Sequence, residues 1–151
     1  MINELAGKWY LLYSTFPMWQ KSGVRNVTFN YTPITKDGEA VLEDKVKYLK
    51  GNTEKVISGY DYPDKEETGR FTWRGKGLLM LLSSNWKVEW QSPNKDCVVL
   101  SFKKTLVTPA GLDIICRDAI PNVFTIEQAQ QFIATQSHLK VYEESLKPVV
   151  V

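Results

Sequence analysis

The sequence predicts an all-β fold: an eight-stranded antiparallel up-and-down β-barrel, with one C-terminal α-helix packed on the outside. Three observations carry this. Eight short β-like segments follow one another, separated by turn residues. Only one later segment has apolar residues at helical spacing. Several of the strand segments alternate between an apolar and a polar face, as in an antiparallel sheet with one dry side, and closing that sheet into a barrel removes its exposed edges.

The first segment runs from Leu5 to Phe16 and is stopped by Pro17. The second, Val24 to Thr32, is expected to end before Pro33, and Lys36-Asp37-Gly38 forms the next turn. Ala40 to Leu49 and Thr53 to Tyr62 are joined by a turn at Lys50-Gly51-Asn52, and Pro63-Asp64-Lys65 breaks the following connection. Thr68 to Trp73, Asn85 to Gln91, Asp96 to Leu106 and Leu112 to Arg117 complete the set. The last three are separated by Ser92-Pro93-Asn94-Lys95 and Thr108-Pro109-Ala110-Gly111. The helix is expected to begin at Thr125, with Gln128 closing a capping box. Ile126, Ala129, Phe132 and Ile133 share its apolar face.

Alternation assigns the strand faces. In the sixth segment Trp86, Val88 and Trp90 oppose Asn85, Lys87, Glu89 and Gln91. Phe71 pairs with Trp73, and Val98 with Leu100 and Phe102. In the third segment Leu42, Val46 and Tyr48 share a face with Asp44. The parity of the first two strands is open, because bulges shift it.

The 151 residues suit one domain, 1–151, large enough to bury a core. Hydrophobic residues at 43% and charged residues at 24% exclude disordered and collagen-like classes. A net charge of +2, with basic residues interleaved among acids, argues against a nucleic-acid partner. Five Trp, seven Tyr and six Phe point to a packed β structure or an aromatic-lined pocket. One His and two distant Cys make no zinc set, so no metal and no cofactor is expected. No apolar run approaches the ~20 residues of a membrane helix. Met1-Ile2-Asn3-Glu4 shows no signal-peptide pattern. A native Met1 therefore implies the cytosol; otherwise a secreted mature form stays open.

Gly7-Lys8-Trp9-Tyr10 on the first strand resembles the GxW signature of the lipocalins. Ile114-Ile115-Cys116-Arg117 on the last resembles their closing arginine motif. The order GxW, eight strands, Arg, helix is matched over nearly the whole chain. The middle motif is poorer: of Thr-Asp-Tyr, Lys95-Asp96-Cys97 keeps only the Asp. Phe16-Pro17, Asp37-Gly38 and the ending Tyr142 to Pro148 look most like the bacterial and plant-type branch. The resemblance implies that Arg117 stacks on Trp9 at the closed end, a cation–π contact. Gly7, Trp9 and Arg117 would then be structural residues.

The resemblance also implies a ligand inside the barrel, entering at the end opposite Trp9. The inward candidates are Tyr13, Trp19, Tyr31, Tyr48, Tyr60, Phe71, Trp73, Trp86 and Trp90. Leu78-Leu79-Met80-Leu81-Leu82, five large apolar residues in the fifth connection, form a candidate portal loop flanked by Arg74 and Lys76. A hydrophobic lid is favoured there. Transient membrane contact is secondary, and continuation of a barrel strand is the plain alternative. Cys97 and Cys116 are expected to be free thiols, because a turn centred near Pro109 would set them apart. His138, the sole histidine, is expected in a surface or packing role.

The function expected is binding and carriage of a small hydrophobic ligand: a fatty acid, lysolipid, retinoid or other isoprenoid. The protein would act as a monomer or weak dimer. The alternative is a cofactor-free isomerase or cyclase using the barrel as a chamber, with Asp44 its candidate acid or base. A solvated Asp44 beside a bulge is the more ordinary reading.

Overall fold

The computed structural model describes residues 1–151. Eight strands form the wall: β1 Gly7–Ser14, β2 Val24–Lys36, β3 Glu39–Lys50, β4 Thr53–Pro63, β5 Arg70–Gly75, β6 Ser83–Gln91, β7 Cys97–Phe102 and β8 Gly111–Cys116. Each pairs antiparallel with the next, and β1 pairs with both β2 and β8, which closes the barrel. A one-turn helix α1, Ile2–Leu5, precedes the wall. Helix α2, Val123–Thr135, follows it and packs outside on β6 and β7. No helix is long and apolar enough to cross a membrane.

Two hydrophobic clusters follow from the alternation. One fills the barrel and includes Trp9, Leu11, Phe29, Leu42, Phe71 and Leu100. The other lies between the outer face of β7–β8 and α2, where Val99, Ile114 and Cys116 meet Ala129 and Ile133. All six residues of β8 are therefore buried, so its sequence carries no polar face to read.

Several boundaries differ from expectation, for local reasons. β2 runs through Pro33 to Lys36; its pairing with β1 stops at Tyr31, and a strand with one free edge tolerates proline. β7 stops at Phe102 rather than Leu106, leaving an eight-residue connection before Gly111. The α2 cap is Asn122, not Thr125: its side chain accepts the Phe124 N–H at 2.9 Å. A ninth, two-residue strand β9, Lys147–Pro148, pairs with the upper half of β1. Val149 N donates to Leu12 O and Asn26 N to Val150 O, so the tail bridges the part of the β1–β2 seam that those strands leave unpaired.

The expectation of free thiols is corrected: Cys97 and Cys116 form a disulfide, with Cα atoms 4.1 Å apart. They face each other because Cys97 pairs with Cys116 in the β7–β8 ladder. The register is symmetric about Leu106–Val107, ahead of Pro109, where the turn was expected to be centred.

Candidate ligand cavity

The closed end is built from the two terminal motifs. The Arg117 guanidinium lies 3.7 Å from the centroid of the Trp9 ring. It also donates to Glu4 O at 2.8 Å and Lys8 O at 3.2 Å, and the Trp9 indole donates to Leu5 O at 2.8 Å. Gly7 has φ +101°, and a Cβ there would stand 3.0 Å from Arg117 Nη1. Glycine thus serves both the backbone and the cation seated beside it. Floor, α1 and both motifs form one plug.

Above this floor is a cavity of about 790 Å³, with 15 hydrophobic residues among its 23 lining residues. Its aromatic wall is a stack: Phe71 lies 4.4 Å from Trp86, and Tyr31 lies 6.1 Å from Trp86 on the barrel interior. Trp73 crosses onto β4 at Gly59, where any Cβ would collide with the indole. Trp19, on the first loop, packs edge-on against Tyr48 at 5.1 Å.

Three carboxylates are sealed into this apolar interior. Asp44 on β3 is 6% exposed, Asp61 on β4 is 0% and Asp113 on β8 is 1%. The expectation of a solvated Asp44 is thereby corrected: its inward phase puts it in the cavity lining, without a bulge on β3. The Asp61 Oδ1 accepts the Trp86 indole N–H at 2.8 Å. No N–H or hydroxyl of the protein reaches Asp44 Oδ1, Asp61 Oδ2 or Asp113 Oδ1. Burial pushes the Asp113 carboxyl up to about 7, against the Ser14 hydrogen bond that lowers it. Burial likewise raises Asp44 well above the carboxylate range, helped by the charge and hydrogen bond of its neighbour Asp61. Asp61 is itself raised by burial, against hydrogen bonds from Trp86 and Asp44. Tyr31 stands among all three: burial and then their charges raise its phenol well above the usual value. Three or more metal-binding side chains are nowhere grouped to hold an ion.

The mouth is apolar. Leu79, Leu81 and Leu82 line it from the β5–β6 loop, and Leu106 and Val107 from the β7–β8 loop. Leu78, Leu81 and Leu106 stand almost fully in solvent. A 3₁₀ turn, Gly77–Leu79, occupies the loop and β6 begins only at Ser83. The apolar run is therefore not a continued strand. Gly75 permits the return of this loop, since a Cβ there would collide with the Leu79 backbone. Lys76 turns to the outer wall, 3.5 Å from Glu43 and over the Tyr60 ring.

Of the nine expected pocket residues, Trp19, Tyr31, Trp73 and Trp86 line the cavity. Phe71 lies behind Trp86 in the core, and Tyr48 packs against that core beside Trp19. Tyr13, Tyr60 and Trp90 are corrected to the outside. A bulge between Leu11 and Tyr13 flips Tyr13 opposite Ile114, and one between Val88 and Trp90 sets Trp90 opposite Val99, where it stacks on Phe132 of α2. Tyr60 faces out because the inner face of β4 carries Gly59 and Asp61, against the apolar rule. His138 is on the surface, 3.2 Å from Glu89. Asp61 and Asp113 were missed. The available signal was Asp113 itself, one carboxylate inside the apolar run Gly111–Cys116.

No protein-family model and no curated protein sequence matches the chain. Solved structures do. Lobster apocrustacyanin A1 superposes with a TM-score of 0.69 at 13% identity, covering 98% of this chain and 78% of that one. Apocrustacyanin C2 gives 0.71 at 13% over the same shares. The siderocalin Ex-FABP gives 0.72 at 11%, over 98% of this chain and 95% of its own. With the closed barrel, its C-terminal helix and the Trp9–Arg117 floor, this likeness establishes that the chain has the calycin-type barrel of the lipocalins.

Proposed function

We propose that the barrel binds and carries a small, largely apolar molecule. The observation that carries this is the cavity itself: about 790 Å³, open through an apolar rim and walled by Trp19, Trp73, Trp86 and Phe102. Such dimensions suit a lipid- or drug-sized ligand. Burying ~400 Å² of apolar ligand at ~25 cal/mol/Å² gives about 10 kcal/mol gross. Association costs of at least ~4 kcal/mol leave micromolar or weaker binding. A structural relative described as working through dual ligand specificities supports the reading of the barrel as a ligand chamber.

Among the expected ligands, a retinoid or other isoprenoid suits the interior better than a fatty acid inserted head-first, because its carboxylate would meet Asp44 and Asp113 at depth and no cation. Acyl chains would enter tail-first, leaving the head near Lys104 at the mouth. The test is titration with retinol and native mass spectrometry of the protein as purified. Quenching of Trp73 and Trp86 emission with saturable binding is expected; flat emission across a lipid panel refutes the reading. Conversion of a bound polyene, in place of its retention, would favour an isomerase or cyclase, with Asp44 as the acid.

A bilayer surface is the second partner proposed, on one observation: Leu78, Met80, Leu81, Leu106 and Val107 are exposed around the same mouth, with Lys103 and Lys104 beside them. Salt-sensitive sedimentation with anionic vesicles tests it. The disulfide supports an oxidising compartment in place of the cytosol.

A further inference from the structure

The cavity is not the neutral chamber that a purely apolar ligand calls for. Asp44 and Asp113 line it, and Asp61, on the neighbouring strand and off the lining, is coupled to Asp44. The buried residues include no Lys, Arg or His. The one cation on the cavity lining is Lys104, exposed in the loop at the mouth. The protein thus supplies acceptors at depth and no counter-charge. Buried carboxylates without a partner are costly, and proteins neutralise them with protons or with an opposite charge. Here Asp44 Oδ1, Asp61 Oδ2 and Asp113 Oδ1 receive no N–H and no Ser, Thr or Tyr hydroxyl, and the only partner Asp44 and Asp61 offer each other is another acid. The charges of all three act on the Tyr31 phenol, those of Asp44 and Asp61 from β3 and β4 and that of Asp113 from the far side of β1.

We infer that the ligand is an organic cation: a protonated primary or secondary amine on an apolar body, with its ammonium seated at Asp44, which Asp61 backs, and its body against the Trp86 stack. This deepens the binding reading above and rests on it. An ammonium brings two or three N–H donors, which the open Asp44 oxygen can accept. A quaternary ammonium brings none and leaves it unmet. Tyr31 and Trp86 add π-faces on which a cation is favoured.

Proton release follows. Empty, the cluster retains protons into the neutral range, because burial favours the uncharged acids. An arriving ammonium requires at least one of them to ionise, so binding expels protons and amine affinity rises with pH. The titratable or charged groups facing the cluster are Tyr31 from β2, Asp44 from β3, Asp61 from β4, Asp113 from β8 and, at the rim, Lys104; β1, β5, β6 and β7 present neutral side chains.

The test uses three probes with one chain length: decylamine, decanol and decanoate. Each is titrated by calorimetry and Trp fluorescence into the intact, disulfide-bonded protein at pH 5.5 and pH 8. Decylamine is expected to bind at least tenfold tighter than decanol at pH 8. Its advantage should shrink several-fold at pH 5.5, and calorimetry in buffers of different ionisation enthalpy should show proton release. Asp44→Asn should lose most of the amine preference and Asp113→Asn a smaller part, while both still bind decanol, which also reports that they fold. If decanol matches or exceeds decylamine at pH 8, the cation assignment is overturned and the apolar pocket stands. Tightest binding of decanoate overturns it equally. If no probe binds, the pocket reading fails as well.

Discussion

Replacing Asp113 with Asn should stabilise the protein at alkaline pH and do little in acid. The side chain is 1% exposed, and its carboxyl titrates at about 7, raised by burial. In the unfolded chain an Asp titrates near ~3.9. A raised folded value means that the native state binds the proton more tightly. Its stabilising contribution is therefore present at low pH and lost as pH rises through about 7. The difference in proton affinity between the folded and unfolded carboxyl corresponds to roughly 4 kcal/mol, of which roughly 3 kcal/mol is lost between pH 5 and pH 8. Asn keeps the shape without the charge but must bury an amide, so the net gain at pH 8 should be about 2–4 kcal/mol. At ~2–4 °C per kcal/mol for a domain of this size, Tm should rise by about 5–15 °C. At pH 4 the two proteins should melt within a few degrees of each other. Glu67, which hydrogen bonds from Arg70 and Lys87 hold down to about 2, adds no slope above pH 5 and cancels between the two proteins. The assay is thermal unfolding by circular dichroism from pH 4 to pH 8 without ligand. A wild-type Tm that is flat or rising from pH 5 to 8, together with an Asn variant no more stable at pH 8, refutes the reasoning.

Other parts of the molecule give separate tests. Arg117→Ala removes the stack on Trp9 and two hydrogen bonds to carbonyls, and should cost about 1–3 kcal/mol in urea unfolding; a loss below ~0.5 kcal/mol would mean that the floor does not depend on it. The Cys97–Cys116 bridge spans a separation of 19 residues, and reducing it should lower stability by about 3 kcal/mol. Thiol titration of the unreduced protein in denaturant should find no free thiols, and two would disprove the bridge. Replacing Leu79 and Leu81 together with Ser should leave Tm nearly unchanged and speed ligand release several-fold in stopped flow; unfolding of the double variant would show that the run is core.

The barrel was legible because its signals are periodic and local. Alternation in Phe71–Trp73 and Val98–Phe102, and the two terminal motifs that meet at the floor, are written in the order of residues. What was lost lies where the chain departs from that period. Two bulges, at Leu12 and Glu89, each reverse the parity of the residues that follow, so Tyr13 and Trp90 left the interior. Neither bulge is marked by glycine. The disulfide was missed because register in the β7–β8 hairpin depends on where the connection is centred, and Pro109 lies off that centre. Asp113 was hidden for a different reason: β8 is buried on both faces, inside the barrel and beneath α2, and a strand without a wet face has no alternation against which an inward carboxylate stands out.

The carboxylates also decide how fold and function are related in this protein. A barrel of this size could be filled with leucine and valine at a gain in stability, since isosteric apolar replacement of buried charge is often stabilising. This chain instead holds Asp44, Asp61 and Asp113 against an aromatic wall, with acceptor oxygens that no N–H and no Ser, Thr or Tyr hydroxyl satisfies. None of the three braces the floor, which Trp9, Arg117 and the backbone carbonyls of Glu4, Leu5 and Lys8 complete among themselves. The destabilisation is therefore confined to the chamber, where a ligand can relieve it. A cation that neutralises the cluster should raise Tm most at pH 8, where the empty protein is weakest, and least at pH 5. A neutral ligand of equal affinity should raise it by the same amount at both.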